Sequence, residues 1–300
     1  MGKLILVAGA TGNLGERIVK ALLKIGAEVR FVVRSNSDIN KINMLEKLGA
    51  KVFRVKIWNV EEVSTACQGV SCVVSAISGL RNVVIDAQKV LLDSAIAVGV
   101  PRFIPSDYSL DFIRFLDGEN RNLDLRREFH KYLDKTSISA TTIFNGAFAD
   151  LLTGQMPLIL FKKKLVLYWG NSDRRLDFTT MDDTAAYMAY VALDSSAPRF
   201  LKIAGDQVSP REIKEVMSEI TGEKFRQFRA GGRRLLSFII KVARKVAPGE
   251  NELYPAWQGM QYMCNMIDER SKIDMLDNNR YPEMTWTTVR EVFKAHVQCK

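Results

Sequence analysis

The stretch LILVAGATGNLGERIVKALL, residues 4–23, decides the fold. It begins with consecutive aliphatic residues, the pattern of a strand covered on both faces. It ends with Ile18, Val19, Leu22 and Leu23 at helical spacing. Between these halves Gly9, Gly12 and Gly15 each have a separate task. Gly9 lets the chain turn off the strand, Gly12 lets backbone approach a pyrophosphate, and Gly15 lets helix and strand pack closely. Free N–H groups at the helix start, aided by the helix dipole, favour an anion there. A glycine triplet alone marks only a turn. One that closes a strand and opens an amphipathic helix predicts a dinucleotide site.

The rest of the first half keeps the same rhythm. Strands are predicted at 4–8, 29–33, 52–57, 72–77, 103–105 and 140–144. Helices are predicted at 14–24, 39–48, 60–66, 83–98 and 120–134. Alternating β and α units imply an α/β fold with a doubly wound parallel sheet, its ligand site beyond the carboxyl ends of the strands. After Phe148 the pattern changes to a hairpin over 158–169 with Lys162, Lys163 and Lys164 at its turn. A helix over 184–193 and a strand over 200–204 follow, then the helix-start signal Ser209-Pro210-Arg211-Glu212. We expect a nucleotide-binding domain over 1–150 and a smaller C-terminal α/β lobe for substrate over 151–300, with some interleaving of strands.

Composition sets the surroundings. Hydrophobic residues at 47% and charged residues at 26% suit a soluble globular chain. No apolar run approaches the roughly 20 residues of a membrane span. The N-terminus opens directly into a strand pattern rather than a leader. Cys67, Cys72, Cys264 and Cys299 show no metal-ligand spacing, so the expected home is a reducing cytoplasm and no metal is expected. The net charge of +9 is concentrated: Lys224, Arg226, Arg229, Arg233, Arg234, Lys241, Arg244 and Lys245 face only Glu223 between Gly222 and Gly249. The plainer reading of 224–245 is the solvated face of an amphipathic helix whose apolar side is Leu235, Leu236, Phe238, Ile239 and Val242. The sharper ones are a contact for nucleic acid, a membrane surface or a protein partner.

Arg34 ends the second predicted strand, about 20 residues past the glycines, where an acid would bind the ribose hydroxyls of NAD. A guanidinium there favours the 2′-phosphate, so NADP(H) is expected in preference to NAD(H). Ser35 and Lys41 stand ready to join that pocket.

The segments GATGNLG (9–15), VVR (32–34), VGVPRFIPSDYS (98–109) and TTIFNGAFADLL (141–152) together resemble the NmrA-like family, the isoflavone reductase-like branch of atypical short-chain dehydrogenases. The resemblance spans nearly the whole chain. It implies a Rossmann domain with a small substrate lobe, NADP(H) as cofactor and a small-molecule substrate. The family includes reductases of aromatic or quinone-like compounds and non-catalytic regulators that sense the cofactor. It implies cofactor contacts at Gly9, Thr11, Gly12, Asn13, Leu14, Gly15, Arg34 and Ser35, at Ser75, Ala76, Ile77 and Ser78, at Pro105 and Ser106, and at Asn145, Gly146 and Phe148.

The catalytic pattern departs from the family. Tyr108 is followed four residues on by Phe112, so the tyrosine–lysine pair of short-chain dehydrogenases is absent. The isoflavone reductase branch implies a lysine on the helix before the sixth strand, and alignment there gives Arg126 or Arg127. Leu125, Phe129, Tyr132 and Leu133 mark the buried face, which places Arg126 and His130 on its flank and turns Arg127 away. An arginine holds negative charge but does not exchange a proton. The candidate catalytic residues are therefore Arg126 as anchor and His130 or Tyr108 as proton donor. The plainer readings are a helix-surface His130 and a Tyr108 that lines or packs the pocket. The loop 110–122 is expected as a lid, and Phe148, Met156, Trp169, Trp257 and Tyr262 as cleft lining or plain core. An NADPH-dependent reductase is the leading expectation, and a cofactor-sensing regulator acting through a protein partner is its rival.

Overall fold

The computed structural model describes residues 3–154, 156 and 158–298. In chain order the first half contains β1 (Leu4–Ala8), α1 (Asn13–Lys24), β2 (Glu28–Val33), α2 (Ile39–Lys47), β3 (Lys51–Arg54), α3 (Val60–Cys67) and β4 (Cys72–Ser75). A π-helical turn, Asn82–Ala87, runs into α4 (Gln88–Ala97), followed by β5 (Arg102–Ile104), α5 (Arg121–Leu133), β6 (Ser139–Ala140) and β7 (Thr142–Phe144). Then come β8 (Ala147–Phe148), β9 (Ile159–Leu160), β10 (Leu165–Trp169), β11 (Leu176–Thr179), α6 (Met181–Leu193), β12 (Phe200–Lys202) and β13 (Asp206–Val208). The chain continues through α7 (Pro210–Thr221), β14 (Arg226–Gly231), α8 (Arg233–Val246), α9 (Ala256–Met266) and α10 (Val289–Gln298).

Two compact units emerge. The first comprises Met1–Tyr108, Leu125–Ile143 and Thr184–Leu201, and the second Ser109–Asp124, Phe144–Asp183 and Lys202–Lys300. A single division at residue 150 therefore does not describe the chain, because 109–124 packs with the later segments and 184–201 with the earlier ones.

The first unit is a Rossmann-type fold. Its sheet has six parallel strands in the order β3-β2-β1-β4-β5-β6. The order reverses between β1 and β4, the switch point at which such sheets bind ligands. Leu6, Val32, Val73 and Phe103 from four strands are buried in one cluster with Leu91 and Leu92 of α4 and Phe129 and Leu133 of α5. The alternate positions Ile5, Val7, Phe31 and Val33 are buried as well, as are Ile18, Val19 and Leu22 of α1, so the consecutive apolar positions answer to cover on both faces.

The second unit holds the sheets β14-β10-β9 and β13-β11-β8. In its hairpin, Lys164 turns the corner in the left-handed region at φ 52°, and Leu165 and Val166 pair with Leu160 and Ile159. Ser209 caps α7 through the reciprocal box with Glu212 that the sequence predicts. Phe112, Phe115, Phe144, Phe178, Met217, Leu236 and Phe293 share its core.

Among the described residues no helix is long and apolar enough to cross a membrane. Burial pushes the Cys67 and Cys72 thiols up to about 12, and Cys264 is half-buried and unbridged. Cys299 lies outside the described residues.

Candidate active site

The glycine turn has the geometry its residues demand. Gly9 sits at φ +84°, and a Cβ there would meet the Ala76 carbonyl oxygen at 2.5 Å. A Cβ on Gly15 would fall 2.1 Å from the Gly9 carbonyl oxygen, so helix and strand close to a distance only glycine permits. Gly12 precedes α1 with no side-chain cap, which leaves the helix start to a ligand. Thr11, Gly12, Asn13 and Leu14 are all at least partly exposed. Lys41 reaches across from α2, its Nζ 2.9 Å from the Thr11 carbonyl and 3.7 Å from the Glu16 carboxylate.

Arg34 and Ser35 are exposed just beyond β2. The Arg34 amide donates to Ser37 Oγ at 3.1 Å, and no ion pair to its guanidinium occurs among the described residues. At the end of β4, Ser75 is fully buried and its hydroxyl has no hydrogen-bond partner. Beyond it Ala76 and Ile77 are half-buried and Ser78 is exposed. Pro105 and Ser106 follow β5. The Ser106 hydroxyl donates to the Ile77 carbonyl at 2.7 Å, and its amide donates to Gln88 Oε1 at 2.9 Å. Gln88 Nε2 in turn donates to the Val84 carbonyl at 3.0 Å, inside the π-helical turn. These contacts lock the exits of β4 and β5 together. A cradle no Cβ can share, an uncapped helix start and a buried unpartnered hydroxyl fit a dinucleotide.

Beside Ser106 lies a polar cluster centred on Asp107. His130 Nε2 approaches Asp107 Oδ2 at 2.6 Å, and the Thr142 hydroxyl donates to the same oxygen at 2.9 Å. Arg199 donates from Nη1 to Thr142 Oγ1 at 2.9 Å, and its Nη2 lies 3.2 Å from His130 Nδ1. A guanidinium only donates, so Nδ1 accepts and the imidazole proton sits on Nε2, facing Asp107. Burial pushes the Asp107 carboxyl up. The His130 ring, the Arg126 guanidinium and the Thr142 hydroxyl outweigh it and hold the group below its ordinary range.

His130 is therefore buried rather than on the helix surface, with both ring nitrogens engaged in this cluster. Arg126 is half-buried, its charge near enough to act on Asp107. Tyr108 is buried and its hydroxyl has no partner. Burial first, and then the Asp107 charge, raise its pKa far above the usual phenol value, so the phenol stays protonated.

The depressed Asp107 carboxyl gives a signed prediction. A carboxylate whose folded pKa is below its unfolded value of about 3.9 stabilises the protein above that pH, and loses its contribution as pH falls through the folded value. Asp107→Asn is expected to cost about 1.5–3 kcal/mol at neutral pH, the range for a hydrogen bond to a charged group. Urea unfolding at neutral and acid pH measures it: the gap between variant and wild type narrows below pH 4.

In the second unit Asn145 is fully buried, and both polar atoms of its carboxamide lack partners. Its backbone is spent, since the amide donates to the Ser109 carbonyl at 3.0 Å and its own carbonyl accepts from Thr179 Oγ1 at 2.7 Å. Gly146 stands at φ +66°, where a Cβ would lie 2.3 Å from the Asp177 carbonyl oxygen. Phe148 is half-buried on β8, which pairs with β11.

One expectation needs correction within this unit, and one open choice is decided. The loop 110–122 is anchored, not lid-like. Phe112 and Phe115 are buried, and Asn120 caps α5 while bonding Gln258 at 2.7 Å and Asn265 at 3.0 Å. Trp257 belongs to the core: it is buried, its indole donates to the Pro248 carbonyl at 2.9 Å, and Arg121 and Arg244 lie over its ring. Met156, Trp169 and Tyr262 pack half-buried against the core that holds Phe112 and Phe144.

Asp107, Thr142, Arg199 and Gln88 escaped the sequence reading. Asp107 alone had a signal, a charge between Ser106 and Tyr108 at the end of an apolar strand.

A model of the NmrA-like family matches residues 1–291. The chain is 26% identical over 317 residues to a bifunctional pinoresinol-lariciresinol reductase of Forsythia intermedia, covering 99% of this chain and 100% of that protein. Its fold matches the crystal structure of isoflavone reductase with TM-score 0.83 and 18% identity, covering 98% of this chain and 99% of that one. It also matches the binary complex of leucoanthocyanidin reductase with NADPH from Vitis vinifera, with TM-score 0.81 and 18% identity over 98% and 99% of the two chains.

Proposed function

This chain belongs to the NmrA-like family, and from that membership we propose that it is an NADPH-dependent reductase of a small aromatic, quinone or carbonyl compound. The observation that carries the reading is the turn at Gly9–Gly15 together with an exposed Arg34 where NAD-binding chains place an acid. Similarity to a reductase over its full length supports it further.

When bound, the cofactor supplies a hydride from C4 of its nicotinamide. The chain's own residues bind, orient and neutralise. The helix start at Gly12–Leu14 receives the pyrophosphate, and Arg34 takes the 2′-phosphate through charge-assisted hydrogen bonds. Arg126 holds the negative charge that develops on the substrate oxygen, and Asp107 fixes that guanidinium electrostatically. Tyr108, kept protonated by burial, is the group able to donate at the end of β5. His130, with both nitrogens engaged, positions Asp107.

The test follows NADPH oxidation against a panel of quinones, enones and aryl carbonyls. Turnover with at least one class is expected, and tight NADPH binding with no turnover on any would replace the enzyme by a sensing protein. In the same assay Arg34→Asp should erase the preference for NADPH over NADH, about 10- to 100-fold for a hydrogen-bonded charge pair. Equal affinity for both cofactors in the wild type would sink the choice of NADP(H).

A further inference from the structure

The exposed side of α8 is a feature the reductase reading leaves unused. Leu236 and Ile240 point inward and are buried in the core of the second unit. A second apolar row faces water: Leu235, Phe238, Val242 and Val246 are 48%, 62%, 44% and 80% exposed. Their spacing of three, four and four residues sets them on one stripe. Arg234, Lys241 and Lys245 form an adjoining stripe, and none of the three has an ion pair among the described residues. A groove of about 540 Å³ runs between the stripes, lined by Arg233, Arg234, Ser237, Phe238 and Lys241. Arg233 is already paired with Asp268 at 2.5 Å, so Arg234 and Lys241 supply its unsatisfied charge. No acidic residue occurs from Lys224 to Gly249.

We propose that this face of α8 docks the protein on an anionic lipid surface, with the apolar stripe entering the headgroup–acyl boundary and the cationic stripe meeting lipid phosphates. A cationic edge beside exposed large apolar side chains is the composition that binds in the plane of a bilayer. Nucleic acid would take the cations but leave Phe238 and Val242 in water. A second copy would set one cationic stripe against another. The site is independent of the proposed reductase chemistry.

The full-length protein is sedimented with phosphatidylcholine vesicles that contain or lack phosphatidylserine. Binding is expected only with phosphatidylserine, falling steeply with added salt. Arg234→Gln with Lys241→Gln should lower the partition about 25-fold, because each cation near an anionic surface contributes about fivefold. In a Phe238→Trp variant, brominated acyl chains should quench the new indole, which reports insertion. These side chains are exposed, so unfolding curves and NADPH binding should stay at wild-type values. Failure to bind anionic vesicles, equal binding to neutral ones, or no effect of the double substitution overturns the proposal. So does tighter binding to duplex DNA that Phe238→Asp leaves unchanged. Binding without quenching refutes insertion and points to an acidic protein partner instead.

Discussion

Replacing Gly15 by alanine is expected to lower NADPH affinity about 100-fold and stability by about 1–3 kcal/mol, the range for forcing an extra carbon into a packed site. The reason is local. An added Cβ would sit 2.1 Å from the Gly9 carbonyl oxygen and 3.0 Å from the Ala10 Cα, both backbone atoms that move only if the turn moves. Gly9 has no room to retreat, because its own Cα faces the Ala76 carbonyl across the exit of β4. Gly12→Ala separates fold from site. Its backbone lies at φ −77°, open to any residue, and its nearest contact would be the Gly9 carbonyl oxygen at 3.1 Å, tight but far from the 2.1 Å at Gly15, so it should cost less stability than Gly15→Ala. NADPH affinity should still fall about tenfold, since a methyl group there intrudes where a pyrophosphate approaches. Fluorescence titration with NADPH and urea unfolding, run on both variants, give the two numbers. Wild-type affinity in Gly15→Ala would mean that the turn does not hold a dinucleotide.

The contrast between these glycines explains what could be read before the structure was in hand. A strand buried on both faces is apolar on consecutive positions, and Leu4–Ala8 of β1, Phe31–Val33 of β2 and Cys72–Val74 of β4 announce themselves that way. A close backbone approach excludes a Cβ, so Gly9 and Gly15 are legible too. The Asp107 cluster was hidden for the opposite reason. Its members come from segments around residues 107, 130, 142 and 199, and each alone has an innocent reading. His130 lies among Arg126, Arg127 and Lys131, which resembles a solvated helix face. Only the arrival of Asp107 from one side and Arg199 from another makes it buried and satisfied. Helix α8 shows the same limit in reverse. Its apolar residues suggest one inward face, yet Leu236 and Ile240 turn in while Leu235, Phe238 and Val242 turn out. Amphipathic spacing says that a stripe exists and is silent on what covers it.

Arg126→Ala should reduce turnover about 100- to 1,000-fold while NADPH affinity changes little, the loss seen when one donor to a developing oxyanion is removed. Arginine cannot carry the proton itself, so its contribution is charge and geometry, and alanine removes both. The conservative variant tests that division. Arg126→Lys restores a cation without the planar fork, and recovers part of the rate if charge is the main effect. The same substitutions leave a mark that a role in catalysis alone does not predict. The Arg126 charge is among the influences holding Asp107 below its ordinary range, so in Arg126→Ala the Asp107 carboxyl should protonate at higher pH. The depressed folded pKa rises toward the unfolded value, and less stability is then lost between neutral and acid pH. Arg126→Lys should return that acid limb toward wild type. A slow alanine variant with an unshifted limb would separate Arg126 from Asp107 and leave Tyr108 to act without that anchor. Unchanged turnover in Arg126→Ala would remove Arg126 from the reaction altogether.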